Sequence, residues 1–467
     1  MKNNKIYVKD IIDKCGGRLL VGDDNLELES FSKDTRTIKE KDVYLGIKGE
    51  VFDGNKFYED AFSKKASCCI LDNVDNIDLT KYKNKTIVAV DDTIKCIQEL
   101  AKYKRSLYNI PVIAITGSVG KTSTKDIVYQ VVSSKYKTLK TEGNENNHIG
   151  LPLTILKLKD HEALIVEMGM NHFKEISLLT NIAKPNIAII TNIGTAHIGN
   201  LGSRENILKA KLEITESLTK DNTLIINNDN DLLHKWAEEN KENLSIITYG
   251  INTESKIKAE NVILKENESE FYINYNGEKQ KVNVQIGGEH FVLNSLCGIA
   301  VGNKLQMNFE EISEGIKTFE LTKNRMDIIN LKDEIRIIND AYNASLESIE
   351  ATLKYMNNMN ANKKIAVLGD VLETGNFAKK LHENIGKITC ENDVNILVCS
   401  GENSKYIVES AIENGFDNKC VYYCKNKDEI IELLKKIIEP KDVILFKASN
   451  GMKFFEIADK IKEIKNK

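Results

Sequence analysis

Proline is scarce in this chain. Only Pro111, Pro152, Pro185 and Pro440 occur, so proline-rich linkers are excluded. No apolar run approaches the length needed to cross a bilayer. Met1 to Gly17 is charged and has no apolar core of the kind a secretory signal carries. The nine cysteines are scattered apart from Cys68-Cys69 and Cys420/Cys424, with no Cys-x-x-Cys pair and no partner histidine motif. That pattern argues against a zinc site and for thiols in a reducing cytosol. The net charge of −4 offers no excess of positive charge to draw nucleic acid or an anionic membrane. A cytoplasmic protein with no nucleic-acid partner and no membrane span is therefore expected, and a monomer is the default.

The remaining composition, 41% hydrophobic and 29% charged, is ordinary for a globular protein. At 467 residues the chain exceeds one core, so two or three domains are expected. The first hundred residues mix short strands (Asp42 to Ile47, Ala66 to Leu71) with turns and a helix from Asp91 to Tyr103. From Pro111 the texture becomes β-α alternation. Ala163 to Met168, Ile187 to Thr191 and Leu224 to Asn227 are continuous apolar runs, each followed by a polar turn. Such runs predict a parallel sheet with helices on both faces. Alternating runs between Ser255 and Val284 predict antiparallel strands at the margin of that domain, followed by helices over Asn294 to Leu305 and Phe309 to Phe319. A third block begins near Leu321, with strands at Ile335 to Ile338, Lys364 to Leu368, Ile396 to Cys399 and Val443 to Phe446. It reads as a second, separate α/β sheet.

The most informative stretch is Ile115-Thr116-Gly117-Ser118-Val119-Gly120-Lys121-Thr122. It lies between an apolar strand, Ile110 to Ile115, and a helix read as Ser123 to Ser133. Glycines let backbone N–H groups curl around phosphate oxygens, and the helix N-terminus adds a positive dipole end. Lys121 would reach the terminal phosphates and Thr122 would hold Mg²⁺. Ile115 stands where the longer phosphate-loop pattern has a glycine, so this is the compact Gly-x-x-Gly-Lys-Thr form.

A phosphate loop alone names no reaction. Glu167, in Glu167-Met168-Gly169, ends a strand on the sheet edge where the loop sits, and a carboxylate there can ligate Mg²⁺. His197 lies in the loop after the next strand. Lys211 follows on a helix and, taken by itself, reads as a surface lysine. The amide cluster Asn144, Asn146, Asn147 and His148 is either a self-satisfied turn or a lining for the phosphate cleft.

Together these pieces resemble the Mur ligases, the cytoplasmic ATP-dependent amide ligases of peptidoglycan synthesis. The resemblance runs over nearly the whole chain. It rests on the phosphate loop, Asn146-Asn147-His148-Ile149-Gly150-Leu151-Pro152, Glu167-Met168-Gly169, His197, Lys211, Asn294, Arg325 and Asp340-Ala341-Tyr342-Asn343-Ala344-Ser345. Asp34-Thr35-Arg36 with Lys48-Gly49, Leu368-Gly369-Asp370-Val371-Leu372-Glu373, and Lys447-Ala448-Ser449 point to the dipeptide-adding branch. The chain has no Asp-Asn-Pro, part of the motif of the branch that adds meso-diaminopimelate. Two positions depart from the common pattern: Asn450 replaces an arginine, removing a bidentate clamp, and His148 replaces an aspartate.

The resemblance implies an α/β fold of three domains. These are a small N-terminal α/β domain (1–104) for the uridine diphosphate end of the substrate, a central P-loop parallel sheet with helices on both faces (105–319) for ATP, and a C-terminal Rossmann-like α/β domain (320–467). Motion is expected at joints near Arg105 and Phe319. Gly117, Ser118, Val119, Gly120, Lys121, Thr122 and Ser123 would cradle the ATP phosphates. Thr122 and Glu167 would serve a first Mg²⁺, and His197 and Lys211 a second, Lys211 as a carbamate made from CO₂. Asn294, Arg325 and Asp340 would surround the adenosine, with Lys121, Glu167, His197 and Lys211 as the catalytic set. Asp34, Thr35, Arg36 and Lys48 match the uridine end, and Asn147 belongs to the substrate set. Asn343, Asp370, Glu373 and Lys447 fall on the third-domain face. The implied reaction joins D-alanyl-D-alanine to UDP-N-acetylmuramoyl-tripeptide through an acyl phosphate. The alternatives are another Mur-type or folylpolyglutamate-synthase-like ligase, a nucleotide switch that performs no ligation, and a degenerate paralogue acting as a binding module.

Overall fold

A computed structural model describes residues 4–75, 77–320 and 325–466. Leu321, where the third block was expected to begin, lies outside the described residues. Among the described residues, four sheets carry the fold. The first holds β1 (Arg18–Val21), β2 (Phe31–Ser32), β3 (Val43–Gly46), β4 (Cys68–Leu71) and β5 (Thr86–Ala89), in the order β1-β5-β4-β3-β2. Only β1 runs antiparallel to its neighbour. Tyr44, Phe62, Cys69, Leu71 and Ile87 form a core on this sheet.

The second sheet has seven strands: β6 (Val112–Thr116), β7 (Thr138–Lys140), β8 (Ala163–Glu167), β9 (Ile187–Ile190), β10 (Thr223–Asn227), β11 (Ser245–Gly250) and β12 (Ile257–Lys258). Their order is β12-β11-β10-β9-β6-β8-β7. Every residue of β6, β8, β9 and β10 is buried, as expected for parallel strands covered on both faces. β13 (Glu260–Leu264), β14 (Ser269–Tyr275) and β15 (Glu278–Val284) are antiparallel, as their alternation predicts, and make a separate three-stranded sheet.

The fourth sheet contains β16 (Asp327–Asn330), β17 (Arg336–Asn339), β18 (Lys364–Gly369), β19 (Ile396–Ser400), β20 (Val421–Tyr423) and β21 (Val443–Lys447), in the order β16-β17-β21-β18-β19-β20. All its pairings are parallel except that of β16 with β17. Ile337, Val367, Val398, Ile444 and Phe446 pack against Phe454 and Ile457 in its core. Each such side chain contributes about 1.5–3 kcal/mol by burial.

Contact density divides the chain into two compact units. One comprises Met1–Ile115, Tyr136–Ala188 and Glu213–Thr223; the other comprises Thr116–Lys135, Ile189–Leu212 and Leu224–Lys467. Within the first unit, Arg105 is buried and donates to the carbonyls of Ala183 and Tyr108 at 2.9 and 2.8 Å. Among the described residues no helix is long and apolar enough to cross a membrane.

Candidate active site

The helix after β6 spans Lys121–Ser133, two residues earlier than the sequence suggests. Its N-cap is Gly120, with φ +82°, a left-handed conformation that suits glycine. The loop before it is shaped by the strand end that follows β9. Ser118 N donates to Asn192 O (3.1 Å), Val119 N to Asn192 Oδ1 (2.9 Å), and Thr191 Oγ1 to Val119 O (2.6 Å). Gly194 N donates to Ser118 Oγ at 2.9 Å. Gly117 must be glycine, because a Cβ there would lie 1.8 Å from Thr191 Oγ1. Asn192 therefore occupies two of the loop's N–H groups and fixes its curvature. Beyond the loop, the N-terminus of the helix Lys121–Ser133 brings the positive end of its dipole, the arrangement that suits an anion. Lys121 Nζ lies 2.8 Å from Gly117 O, Thr122 is buried, and Ser123 follows in the same turn.

Lys211 is not a surface residue. It sits in the helix Arg204–Leu212 with 1% of its surface exposed. Burial, and then the charge of Lys121, hold its amine well below the ordinary lysine range. His197 is also shifted down, first by burial and then by Lys121. Its Nδ1 lies 2.6 Å from Glu373 Oε2. The nucleophilic form of an amine and the metal-ligating form of an imidazole are both neutral, so this setting favours both.

In the first unit, Glu167 is the register partner of Ile115, the residue directly before Thr116. Its carboxylate is buried and accepts from Asn146 Nδ2 at 2.8 Å. Gly169 approaches the same amide, where a Cβ would come within 3.0 Å of Asn146 Oδ1. Among the described residues, no group of three or more His, Cys, Asp and Glu side chains is placed to hold a metal ion.

A Mur ligase middle-domain model matches residues 115–302, and a Mur ligase glutamate-ligase-domain model matches residues 324–450. A UDP-N-acetylmuramoyl-tripeptide--D-alanyl-D-alanine ligase of Bacillus subtilis (strain 168) is 35% identical over 457 residues, covering 97% of each chain. The chain belongs to the Mur ligase family. Among solved structures, MurF from Acinetobacter baumannii superposes with a TM-score of 0.88 at 26% identity, covering 98% of this chain and 99% of that one. MurF from Thermotoga maritima in complex with ADP gives 0.80 at 25% identity, covering 93% and 97%. Both superpositions bear out the α/β fold over nearly the whole chain.

The remaining residues of the family pattern fall into several groups. Asn294 Oδ1 accepts from Thr124 Oγ1 (2.8 Å), tying the helix Glu289–Lys304 to the phosphate-loop helix. Asp340 pairs with the buried Lys447 and accepts from Met326 N (3.1 Å) and Thr352 Oγ1 (2.8 Å). The Arg325 guanidinium lies 4.0 Å above the Tyr342 ring. Asn343 is exposed, though its carbonyl lies 3.4 Å from Lys447 Nζ. Asp34 caps the turn Thr35–Thr37 and is bidentate with Arg36, which holds its carboxyl down at about 2. Lys48 is exposed beside the bridge to Asp53.

Two residues of the expected substrate set have structural employment. Asn147 Oδ1 accepts from Ile149 N and Gly150 N, capping the helix Gly150–Leu156, and it is the neighbouring Asn146 that reaches Glu167. Asp370 is buried and accepts from Asn403 N, Ser404 N and Ser404 Oγ at 2.7–3.1 Å. Its Oδ1, which takes all three, fixes the start of the helix Ser404–Glu413. Asn192 and Glu347, whose Oε1 accepts from Thr195 N at 2.7 Å in the loop that carries His197, were not singled out by sequence. Asn192 had a signal, since it lies within the strand-end stretch leading to His197; Glu347 had none.

Proposed function

We infer that this protein is an ATP-dependent amide ligase joining D-alanyl-D-alanine to UDP-N-acetylmuramoyl-tripeptide in peptidoglycan precursor synthesis. Its relatives carry that activity in their names over nearly their whole length. The observation that carries the chemistry is Lys211: a fully buried amine, beside the charge of Lys121, with no carboxylate in ion-pair contact among the described residues. A neutral amine adds CO₂ and loses one proton, which turns a cationic side chain into an anionic oxygen donor. That conversion gives the donor set the second carboxylate-like group it lacks, so the residues present fit Mg²⁺. Thr122 and Glu167 are the proposed holders of one ion, and His197 and carbamylated Lys211 of another. Bound Mg²⁺ supplies neutralisation between two anions that must approach each other.

The chain's own groups do the rest. The first turn of the helix Lys121–Ser133 and Lys121 itself hold the ATP phosphates in line with the tripeptide carboxylate. A carboxylate oxygen attacks the γ-phosphorus and ADP leaves. The dipeptide amine then attacks the acyl carbon, phosphate departs and the amine proton is lost. Asn294, Arg325 and Asp340 are the proposed adenosine neighbours, and Asp34, Thr35, Arg36 and Lys48 the proposed uridine end. Closure of the third domain would keep water from the acyl phosphate. A cytoplasmic monomer fits this role.

The test is direct. Purified protein with ATP, Mg²⁺, the UDP-muramoyl tripeptide and D-alanyl-D-alanine should release ADP and give a product heavier by the dipeptide minus water. ADP release without that mass, or with an unrelated amino acid as the better acceptor, would sink the assignment.

A further inference from the structure

His197 is carried by a loop whose backbone is held at both ends by groups from after residue 340. At one end Glu347, in the first turn of the helix Leu346–Asn357, accepts from Thr195 N (2.7 Å) and Thr195 Oγ1 (3.1 Å). At the other end Glu373 O accepts from Gly199 N (3.1 Å), while its carboxylate meets His197 Nδ1. Glycine stands where each group seats. A Cβ on Gly194 would lie 2.6 Å from Glu347 Cδ, and one on Gly199 would lie 2.5 Å from Glu373 O. His197 and Glu373 both adopt left-handed backbones, φ +63° and +61°. Non-glycine residues hold such conformations where the surroundings over-determine them.

We propose that Glu347 and Glu373 are positioning residues that clasp the 194–199 loop and select the tautomer of His197. A carboxylate offers only lone pairs, so the nitrogen facing Glu373 carries the proton. The other ring nitrogen, Nε2, is then left as a lone-pair donor, the form a metal ligand requires. This is the tautomer that a free histidine side chain populates less. Glu347 fixes the loop without touching the ring, so its part is to hold the backbone from which His197 projects. The two carboxylates come from the segment matched by the glutamate-ligase-domain model, whereas His197 comes from the middle-domain match. The clasp thus makes the geometry of His197 depend on the C-terminal segment being seated. The proposal rests on the ligase reading for its purpose, although its geometry can be tested without turnover.

The experiment uses full-length protein labelled with ¹⁵N-histidine, without nucleotide or metal, and His197→Gln to assign the signal. In the parent, His197 should be protonated at Nδ1. Glu373→Ala should move it mainly to the Nε2–H form and speed amide exchange over 194–199 by at least about tenfold. Glu347→Ala should speed the same exchange while leaving the tautomer unchanged. Glu347→Gln, which keeps an acceptor for Thr195 N, should restore parental exchange. In turnover, Glu373→Ala should lower kcat by about 10- to 100-fold, with KM for ATP changed less than about threefold. A parental tautomer and parental exchange in Glu373→Ala would overturn the proposal. So would equal loosening in Glu347→Gln and Glu347→Ala. If the parent makes no amide product yet shows the tautomer and exchange pattern, the ligase reading fails and the clasp stands.

Discussion

Replacing Lys211 with methionine should make the protein more stable and stop it working. The substitution removes one amine and little volume from a position that is 1% exposed. In the folded state burial, and then the charge of Lys121, push the pKa of that amine well below the ordinary lysine range, whereas in the unfolded chain it titrates near pH 10.4. Between the depressed folded pKa and the unfolded one, the unfolded state binds one proton more. Stability of the parent therefore rises with pH by about 1.4 kcal/mol per unit in that window and falls as pH is lowered through it. Lys211→Met has no such term. Its advantage over the parent should shrink by about 1.4 kcal/mol for each unit of rising pH, so by about 3 kcal/mol over two units. Urea unfolding of both proteins at several pH values, in chelated and CO₂-depleted buffer, measures this. Restoring bicarbonate and Mg²⁺ should then stabilise only the parent. The ligation rate of Lys211→Met should fall by about a hundredfold or more. Lys211→Ala should be partly rescued by formate or acetate, which can occupy the vacated space; the methionine variant should not. A stability gap that stays flat with pH would mean that Lys211 is charged in the fold. Undiminished ligation by either variant would dispose of the carbamate.

Three further outcomes are expected. Lys121→Ala should abolish ATP turnover while the circular dichroism spectrum and unfolding transition survive; normal ligation would refute the phosphate-loop assignment. Gly117→Ala sets a Cβ 1.8 Å from Thr191 Oγ1, so the loop must shift. Equilibrium dialysis should show ADP binding weakened by at least about tenfold, the equivalent of some 1.4 kcal/mol. His290 is driven down to about 4 by burial. Below pH 6.5 the unfolded chain takes up a proton there that the folded one refuses, so stability falls between pH 6.5 and 4 by about 3 kcal/mol. His290→Leu should flatten that part of the acid-unfolding curve, and an unchanged curve would show that His290 accepts its proton in place.

The strands were legible because burial on two faces leaves a local mark. Val112–Thr116, Ala163–Glu167 and Ile187–Ile190 are apolar runs bounded by polar turns, and each became a central strand. Helix starts were read less well. The helix Glu289–Lys304 begins five residues before Asn294, and its N-cap Gly288 has φ +123°, a conformation that composition does not announce. The phosphate loop was legible as a motif, but the residue that shapes it, Asn192, is more than 70 positions away.

Sequence alone determined the chemistry on offer: a glycine-lysine-threonine turn between strand and helix, a carboxylate at a strand end, and the family pattern that orders them. Those signals are local, because backbone conformation and side-chain type are properties of a short segment. Tertiary structure alone decided the state of each group. It buried the Lys211 amine and pushed its pKa down, gave Glu167 to Asn146, set Asp370 against the start of a helix, and placed Glu373 against His197 from 176 positions away. Desolvation and hydrogen-bond partnership depend on what lies across a gap in space, and distance along the chain carries no record of it.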